Sequence, residues 1–371
     1  MYKRQAFLDL ANAFGSVPHS VIHHVINKLG LPDHICNFLT DVYNNSTTIF
    51  SLPGRPVQVS LRSGVLQGDA LSTVLFNLAL EPVLRAALSC PGGSMVMSAS
   101  VSVSAFADDI ALAFADGAHL QAAVDKTAEV ASSLGLRFRP EKCALLSSSA
   151  NNSISIYGSE IPIVTEASSA NYLGIPFSQK SLFRPVDHLT DMVDKLLGSL
   201  LAPWQKIEML RAYIMPSISY SLGSGYCRKD FLSGLDKNIN SALRRILDLP
   251  DCCSTAFFHA SRSVGGLAVP LLSRESDVWT VARAIRLLCS EDPTIQCIAQ
   301  GQVAATLTAA NIAVSSSTVS SYLSGSQSGQ MAVLRHSPNV ITRATHSHKS
   351  HNATRLTSSH SGQGAGLLPI G

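Results

Sequence analysis

Short apolar runs alternate with amphipathic stretches along the first 150 residues of the chain. The run at 5–10 predicts a buried strand. After Ser20, apolar residues recur at the spacing of one helix face until Gly30 ends the pattern. The same spacing predicts further helices over about residues 33–43, 71–83 and 120–134. This part of the chain is therefore expected to alternate strands and helices.

Other short runs predict strands that pair with their neighbours in sequence. Residues 49–62 predict two strands, and residues 101–114 predict a hairpin around Asp108 and Asp109. Two more strands are predicted at 136–138 and 143–146, on either side of a turn. Because a hairpin is antiparallel, the pattern predicts an α+β fold rather than repeated βαβ units.

The pattern changes after about residue 185. From there to about residue 300 the apolar spacing is mainly helical. Residues 301–371 lose this periodicity and are rich in Ser, Thr, His and Gly, which predicts a disordered tail apart from a short helix near 302–313. We therefore predict three regions, at 1–180, 181–300 and 301–371.

Composition and charge exclude two classes of protein. Of the 371 residues, 46% are hydrophobic and 14% are charged, so the chain has enough apolar residues for a core and is not disordered throughout. Residues 301–371 contribute four basic and no acidic side chains to the net charge of +3, which leaves 24 basic and 25 acidic side chains in residues 1–300. The main body is therefore not a strongly basic nucleic-acid binder by composition.

The cysteines and the apolar runs bear on location. Eight cysteines without a CxxC pair, and no secretory signal, predict reduced thiols in an intracellular protein. Cys252 and Cys253 with His259 have poor spacing for a zinc site, so an incidental role is favoured there. No run of about 18 uncharged apolar residues occurs, so neither a membrane span nor a membrane partner is expected.

Three carboxylates are the candidate chemistry: Asp9 at the end of the first strand, and Asp108 with Asp109 at the hairpin tip. Acids on apolar strands are costly unless a cation neutralises them. A hard divalent cation with oxygen ligands does so, and a pair of magnesium ions drives phosphoryl transfer. Taken alone, Asp108–Asp109 is better explained as a turn pair, because Asp is a common turn residue.

Five segments carry a resemblance to a known family. In order they are FLDLANAFGSVPH (7–19), SGVLQGDALSTVLFNLAL (63–80), AFADDIALAF (105–114), GLRFRPEKCALL (135–146) and NYLGIPF (171–177). The series resembles the five catalytic motifs of reverse transcriptases, especially those of non-LTR retrotransposon Pol polyproteins. The later segment FFHASRSVGGLAVPLL resembles the post-polymerase region of site-specific elements with a restriction-like endonuclease.

The resemblance implies a fold and an activity. Residues 1–180 are expected to form the palm and residues 181–300 a helical thumb, with the fingers missing, so that the chain is a fragment of a longer polyprotein. The implied activity is RNA-directed DNA polymerisation in target-primed reverse transcription. It requires two Mg²⁺ ions, with Mn²⁺ as an alternative, an RNA template, a DNA primer or target, and deoxyribonucleoside triphosphates. The implied location is the nucleus.

The resemblance also assigns roles to residues. It makes Asp9, Asp108 and Asp109 the catalytic, metal-binding triad. Phe14 corresponds to the sugar gate, with an ordinary core phenylalanine as the alternative. Gln67 and Gly68 match the residues that contact the incoming nucleotide. Lys142 matches a lysine near the nucleotide phosphates, with a solvated turn lysine as the alternative. Tyr172, Leu173 and Gly174 match the primer-grip hairpin, with a plain β-turn as the alternative. In the expected thumb, residues 201–250 carry seven basic and four acidic side chains. The basic ones, Arg244 and Arg245 among them, are expected either to contact a phosphate backbone or to lie on a solvated helix face.

Three positions depart from the family pattern: Gly15 replaces a usual Asp, Asn12 a usual Lys and Ala70 a usual Pro. None of them belongs to the triad. Two function classes therefore remain open, an active reverse transcriptase fragment and a catalytically inactive retrotransposon remnant that at most binds nucleic acid. A viral RNA polymerase is disfavoured, because Phe14 and the Gln67–Gly68 loop fit an enzyme that makes DNA.

Overall fold

The computed structural model describes residues 4–66, 68–147, 153–165, 168–178, 186–224, 227, 229–309 and 311–323. The chain divides into two compact units, Met1–Ser181 and Leu182–Gly371. The predicted tail beyond residue 323 lies outside the described residues. The interpretation of the two units as palm and thumb stays a prediction.

The first unit is built on a four-stranded antiparallel sheet with the strand order β6–β7–β1–β8. Its strands are β1 (Arg4–Leu8), β6 (Val103–Phe106), β7 (Asp109–Phe114) and β8 (Ala144–Leu146). The central strand β1 pairs with β7, where Leu8 lies opposite Ile110, and with β8, where Phe7 lies opposite Ala144. Every second residue of β7 is buried, which is the period expected of a sheet with one face on the core.

The first unit also contains five α-helices within its described residues. They are α1 (Ala13–Ser16), α2 (His19–Lys28), α3 (Asp33–Asn44), α4 (Ala70–Leu88) and α5 (Gly117–Ser133). Helices α4 and α5 contact the strands of the sheet, pack against each other and share one core with the sheet. At the start of α5, Asp116 Oδ1 accepts a hydrogen bond from the His119 N–H at 2.9 Å, and Gly135 follows its end at φ +77°. The helices predicted from the sequence are confirmed.

Four two-stranded hairpins surround the sheet. They are β2 (Thr47–Leu52) with β3 (Arg55–Ser60), β4 (Ser94–Val96) with β5 (Ala99–Val101), β9 (Ser155–Ile156) with β10 (Ser159–Glu160), and β11 (Ala170–Tyr172) with β12 (Ile175–Phe177). The sequence analysis predicted the first and the last of these pairs, and the β6–β7 hairpin of the sheet is also confirmed. The β4–β5 pair was not predicted.

Two local expectations are wrong. Residues 136–138 do not form a strand, because Phe138 makes only an isolated bridge to Leu10. The apolar stripe predicted on α4 is wider than the face that the core covers, so Val74 and Leu78 are exposed. The buried face of α4 runs through Leu75, Phe76, Ala79, Leu80 and Val83.

Within the described residues, one helix passes the length and composition test for a membrane span. This helix is α4, and 44% of its most apolar window is buried inside the protein. Helix α4 is therefore an exception to the expectation that no segment is long and apolar enough to span a membrane. Because α4 packs on α2 and α5, its apolar character is that of a core helix.

The second unit is helical, as the pattern predicted. Its helices are α6 (Val186–Gly198), α7 (Pro203–Met209), α8 (Met215–Ser217), α9 (Ser219–Ser224), α10 (Lys229–Leu247), α11 (Ala256–His259), α12 (Leu272–Leu288), α13 (Pro293–Ala309) and α14 (Ser316–Leu323), with a π-helical turn at Leu210–Ile214. The short helix predicted near 302–313 is the end of α13. The expectation of disorder after residue 301 is wrong for residues 316–323, which form α14. The core centres on Leu232, Leu243 and Phe258.

A buried acid joins two helices of this core. Asp236 of α10 is 6% exposed. Its carboxylate accepts hydrogen bonds from the N–H groups of Leu272 at 2.7 Å and Ser273 at 3.1 Å, and from the Ser273 hydroxyl at 2.6 Å. It therefore caps the first turn of α12, where backbone donors have no partner within the helix.

Candidate active site

Asp9 and Asp109 lie at the same end of the central sheet. The last pair between β1 and β7 joins Leu8 and Ile110, Asp9 follows β1, and Asp109 is the first residue of β7. The register therefore continues with Asp9 beside Asp109. Burial raises the pKa of the Asp109 carboxyl, and the negative charges of Asp108 and Asp9 raise this pKa further.

Asp108 lies in the tight turn between β6 and β7. Phe106 pairs with Asp109, which leaves Ala107 and Asp108 as the two turn residues. Ala107 has φ +53°, a left-handed conformation that a two-residue hairpin turn requires at its first position. The turn places Asp108 next to Asp109, which explains the electrostatic effect of Asp108 on that carboxyl.

Arg139 binds the carboxylate of Asp9. Its Nε and Nη2 lie 2.7 Å and 2.5 Å from Asp9 Oδ2. The Arg139 N–H also donates to the Asp9 carbonyl oxygen at 2.9 Å, and the Asp9 N–H donates to Cys143 Sγ at 3.4 Å. The segment 139–143 therefore holds both the backbone and the side chain of Asp9.

The thiol of Cys143 beneath Asp9 is buried. Burial raises its pKa to about 11, and the nearby charges of Asp9 and Glu141 act in the same direction. Cys143 therefore stays a neutral thiol near neutral pH and acts as a weak acceptor for the Asp9 N–H. Sequence reasoning missed both Arg139 and Cys143. Arg139 is 130 residues from Asp9, and no local pattern marks the pair.

A cleft of about 530 Å³ opens at this end of the sheet. The residues that line it include Asp9, Asp109, Glu141, Lys142 and Tyr172. Lys142 is exposed and belongs to a short 3₁₀ turn, Pro140–Lys142. The structure therefore brings a cationic side chain, a phenol and two carboxylates of the predicted site to one cavity.

Tyr172, Leu173 and Gly174 form the predicted β-turn. Leu173 and Gly174 both have positive φ, +51° and +74°, which is the two-residue turn that matches the twist of a hairpin. The ring of Phe7 on β1 contacts those of Tyr172 and Phe177, with centroid distances of 5.1 Å and 4.1 Å. These contacts anchor the hairpin to the strand that leads into Asp9.

The Tyr172 phenol is electrostatically linked to the carboxylates. Burial raises its pKa most, and the Asp109 charge raises it as well, whereas the Ser104 hydroxyl lowers it. The Tyr172 hydroxyl makes no hydrogen bond of standard geometry to a described residue. The Ser104 hydroxyl therefore lowers the Tyr172 pKa from a nearby position that does not meet this geometry. The hairpin thus lies next to the acidic end of the sheet.

Two predicted residues, Phe14 and Gly68, lie outside the cleft wall. Phe14 is half-buried on α1, and its ring stacks on Phe76 of α4 at a centroid distance of 4.2 Å and an angle of 18°. It does not line the cleft. Gly68 is exposed at φ +91° just before α4 and also lies outside the cleft wall, whereas Gln67 lies outside the described residues.

Comparison with known proteins identifies the first unit. Residues 1–177 match the family profile described as reverse transcriptase (RNA-dependent DNA polymerase). Residues 1–177 form a reverse transcriptase domain. The match spans the central sheet, the cleft and the Tyr172–Gly174 hairpin, and it agrees with the five motifs and their order in the sequence.

Curated relatives extend the similarity beyond this reverse transcriptase domain. The chain is 30% identical over 286 residues to a Pol polyprotein from the type-1 retrotransposable element R2 of Bradysia coprophila, and 30% identical over 280 residues to that of the type-2 element R2DM of Drosophila melanogaster. Each alignment covers 72% of this chain but only 32% and 26% of those proteins. The chain therefore spans about a third or less of their length.

Solved structures are much more distant. A telomerase from Candida tropicalis, in complex with a TWJ fragment of telomeric RNA, matches with a TM-score of 0.38 and 11% identity, covering 81% of this chain and 49% of that one. A Candida albicans telomerase matches with a TM-score of 0.33. These values are too low to support a structural argument.

The donor chemistry of the reverse transcriptase domain fits a hard divalent cation. Asp9, Asp108 and Asp109 offer carboxylate oxygens. Burial, and after it the negative charges of Asp108 and Asp9, raise the pKa of the Asp109 carboxyl. Among the described residues, however, no group of three or more His, Cys, Asp or Glu side chains is close enough to hold a metal ion. The Asp9 carboxylate binds Arg139 instead, so the carboxylates are not arranged around a common point.

The alternative metal centre receives no support. Cys252 is exposed, and the half-buried Cys253 does not join it in a metal-binding group within the described part of the chain. His259 is buried, and its Nδ1 donates to the Val269 carbonyl oxygen at 2.8 Å. This hydrogen bond ties α11 to the segment before α12 and gives the histidine a structural role.

Proposed function

We propose that this chain is the RNA-directed DNA polymerase region of a non-LTR retrotransposon Pol protein. In this proposal it extends a DNA primer on an RNA template by two-metal nucleotidyl transfer during target-primed reverse transcription. The observation that carries the proposal is the strand register that continues with Asp9 beside Asp109, next to Asp108 and at the mouth of the cleft. Acids that are 100 positions apart in the chain and share a sheet end need positive charge nearby, which Arg139 supplies to Asp9 and a divalent cation would supply to the whole group.

In this proposal the three acids share one role, which is to bind metal ions. Asp9, Asp108 and Asp109 would hold two Mg²⁺ ions, or Mn²⁺ in their place. Bound there, the ions supply charge neutralisation at the reacting phosphate and a lowered pKa for the primer 3′-hydroxyl. The three carboxylates fix the place of that charge at the end of a rigid sheet, and rigidity is what positioning catalysis requires.

Other residues bind and orient the substrates. Lys142 at the cleft wall would hold the triphosphate and donate a proton to the leaving pyrophosphate. The hairpin of Tyr172, Leu173 and Gly174 would hold the primer end beside the acids. Phe14 would exclude a ribose 2′-hydroxyl, and Gln67 with Gly68 would contact the incoming deoxyribonucleotide.

The wider setting follows from the relatives. The template would be RNA, and the primer a DNA end at the insertion target. The second, helical unit would be the thumb that holds the duplex. Polymerisation at a chromosomal target would take place in the nucleus.

Primer extension tests the proposal. The full chain is incubated with an RNA template, a DNA primer, deoxyribonucleoside triphosphates and Mg²⁺. Asp108→Asn should lower extension by at least about 100-fold, because one charged contact to the transition state is lost. Asp125→Asn is the matched control, since Asp125 is an exposed acid on α5 that binds Gln121 at 2.7 Å, and it should extend normally.

The outcomes separate the open alternatives. Equal extension by Asp108→Asn and the unmodified chain would contradict a catalytic role for this acid. A chain that binds primer–template but never extends it, with either Mg²⁺ or Mn²⁺, would instead be the inactive remnant. Extension that depends on Asp108 supports the polymerase.

A further inference from the structure

We propose that Arg139 is a built-in counter-cation of Asp9 and competes with divalent cations for the Asp9 carboxylate. The inference rests on the proposed function, because it assumes that Asp9 is a metal ligand. Arg139 would act as a positioning residue, since it touches Asp9 and not the reacting atoms. It would set how tightly the site binds its cations.

The geometry of the pair carries the first step. Two donors of one guanidinium, Nε and Nη2, converge on the same oxygen, Asp9 Oδ2, at 2.7 Å and 2.5 Å. Charged hydrogen bonds of this length are among the stronger ones in proteins. Asp9 Oδ2 is thus engaged by a cation within the protein, and a metal ion that uses this oxygen has to displace it.

The backbone shows that Arg139 is fixed at this place. Its N–H donates to the Asp9 carbonyl oxygen at 2.9 Å, and two residues away the Ala11 N–H donates to the Arg137 carbonyl oxygen at 2.7 Å. These bonds align the segment 137–139 beside residues 9–11. The guanidinium therefore starts from a backbone already in contact with Asp9, and its reach to the carboxylate costs little additional ordering.

Local charge explains why a counter-cation is useful. The strand register continues with Asp9 beside Asp109, and Asp108 precedes Asp109 in the turn, so three negatively charged carboxylates repel one another at one end of the sheet. Arg139 offsets one of them while no metal ion is bound. Without Arg139, the metal-free site would keep the full repulsion and the fold would lose stability.

Solvent exposure keeps the pair reversible. The side chains of Arg139 and Asp9 are 33% and 37% exposed. Solvent screens an ion pair at this exposure, so a dication that binds Asp9 together with a second carboxylate of this sheet end displaces the guanidinium. Arg139 is consequently suited to lower the cation affinity without blocking the site.

The test measures cation affinity directly, with no need for catalysis. Free Mn²⁺ is followed by electron paramagnetic resonance during titration of the full chain. Arg139→Gln should bind Mn²⁺ about two- to tenfold more tightly, because a nearby positive charge is removed. Arg139→Lys should behave like the unmodified chain, since it retains the charge.

Arg137→Gln is the matched control. It changes the net charge equally and lies two residues away, but its guanidinium lies over the Tyr157 ring at 5.0 Å. Its Mn²⁺ affinity should not change. Thermal unfolding gives a second readout: Arg139→Gln should melt lower without metal and gain more from saturating Mn²⁺ than the unmodified chain does.

The outcomes separate the inference from the proposed function. An unchanged or weaker Mn²⁺ affinity in Arg139→Gln, or an equal gain in Arg137→Gln, would overturn the competition. A tighter Arg139→Gln site in a chain that never extends a primer would leave the competition standing and refute only the polymerase activity. Mn²⁺ binding that survives Asp9→Asn would overturn the role of Asp9 on which the competition depends.

Discussion

At the scale of residues, side chains of the first motif contribute to the core of the first unit. Phe14 illustrates this, because its ring stacks on Phe76 and is half-buried. The two roles considered from the sequence, sugar gate and core phenylalanine, therefore do not exclude each other. One face of the ring packs on Phe76, and the sugar gate stays a prediction, because Phe14 does not line the cleft.

Phe14→Ala separates these roles. We expect the variant to lose about 2 kcal/mol of stability, less than a fully buried phenylalanine loses, and to incorporate ribonucleotides more readily. Phe76→Leu is the control, since it removes the same stacking contact without changing Phe14. Primer extension with ribonucleotides and deoxyribonucleotides in parallel measures the selectivity. Altered selectivity in both variants, or in neither, would contradict the gate.

His19, in the same motif, predicts a pH dependence. Burial lowers its pKa most, and His23 lowers it further, against the raising effect of the Gly64 carbonyl oxygen that Nε2 contacts at 3.1 Å. Tyr43 packs edge-on against the ring. As the pH falls to the ordinary histidine pKa of 6.5 and below, the unfolded chain binds a proton at His19 more readily than the folded chain does. The free energy of unfolding should therefore fall as the pH falls.

Urea unfolding between pH 7.5 and 5 checks this prediction. The slope due to His19 should not exceed about 1.4 kcal/mol per pH unit, the limit for one proton. His19→Gln should flatten the profile, whereas His34→Gln, at an exposed position on α3, should leave it unchanged. An unmodified chain whose stability is constant over this range would refute the assignment.

At the scale of elements, two hairpins share one turn geometry but differ in location. Leu173–Gly174 and Tyr157–Gly158 both have positive φ at both turn residues, with Gly174 at +74° and Gly158 at +80°. Only the first turn joins strands whose residues line the cleft through Ala170, Asn171 and Tyr172. The second is therefore an internal control for backbone strain.

Gly174→Val and Gly158→Val should each cost about 1–2 kcal/mol, because a β-branched residue is strained in the left-handed region. Primer extension should fall only in Gly174→Val if the first hairpin holds the primer. Equal stability loss, measured by thermal unfolding, makes the comparison fair. Equal loss of extension would instead assign both effects to folding.

Elements were predictable where the local pattern determines them. The hairpin around Asp108, the helix ended by Gly135 and the switch to helices after residue 185 all follow from periodicity and turn residues. The strand expected at 136–138 did not form, because its pairing depends on distant residues 9–11, where backbone hydrogen bonds are few. The Arg139–Asp9 ion pair could not be predicted either, because its two residues are 130 positions apart in the chain.

At the scale of the whole molecule, some basic side chains form contacts within the fold that compete with contacts to a ligand. The composition predicts that the main body is not a strongly basic nucleic-acid binder, and Arg244 and Arg245 are candidates for phosphate contacts. Arg244 is half-buried, donates to the Cys253 carbonyl oxygen at 3.1 Å and lies over the Phe258 ring at 6.0 Å. Arg245 is exposed. Arg244 and Arg245 are neighbours on α10 but lie in different environments, and the sequence around them does not reveal this difference.

The salt dependence of primer–template binding distinguishes them. If Arg245 contacts a phosphate, Arg245→Gln removes one released counterion, and the slope of log K against log salt concentration should become shallower by about 0.7–0.9. Arg244→Gln should leave the slope unchanged and lower the unfolding temperature, because its partners are within the fold. Fluorescence anisotropy over a series of salt concentrations measures the slope, and thermal unfolding measures the stability. Because the acidic and basic residues nearly balance over 1–300, few phosphate contacts are expected, and the loss of one should be measurable. An unchanged slope in Arg245→Gln would place this arginine on a solvated helix face.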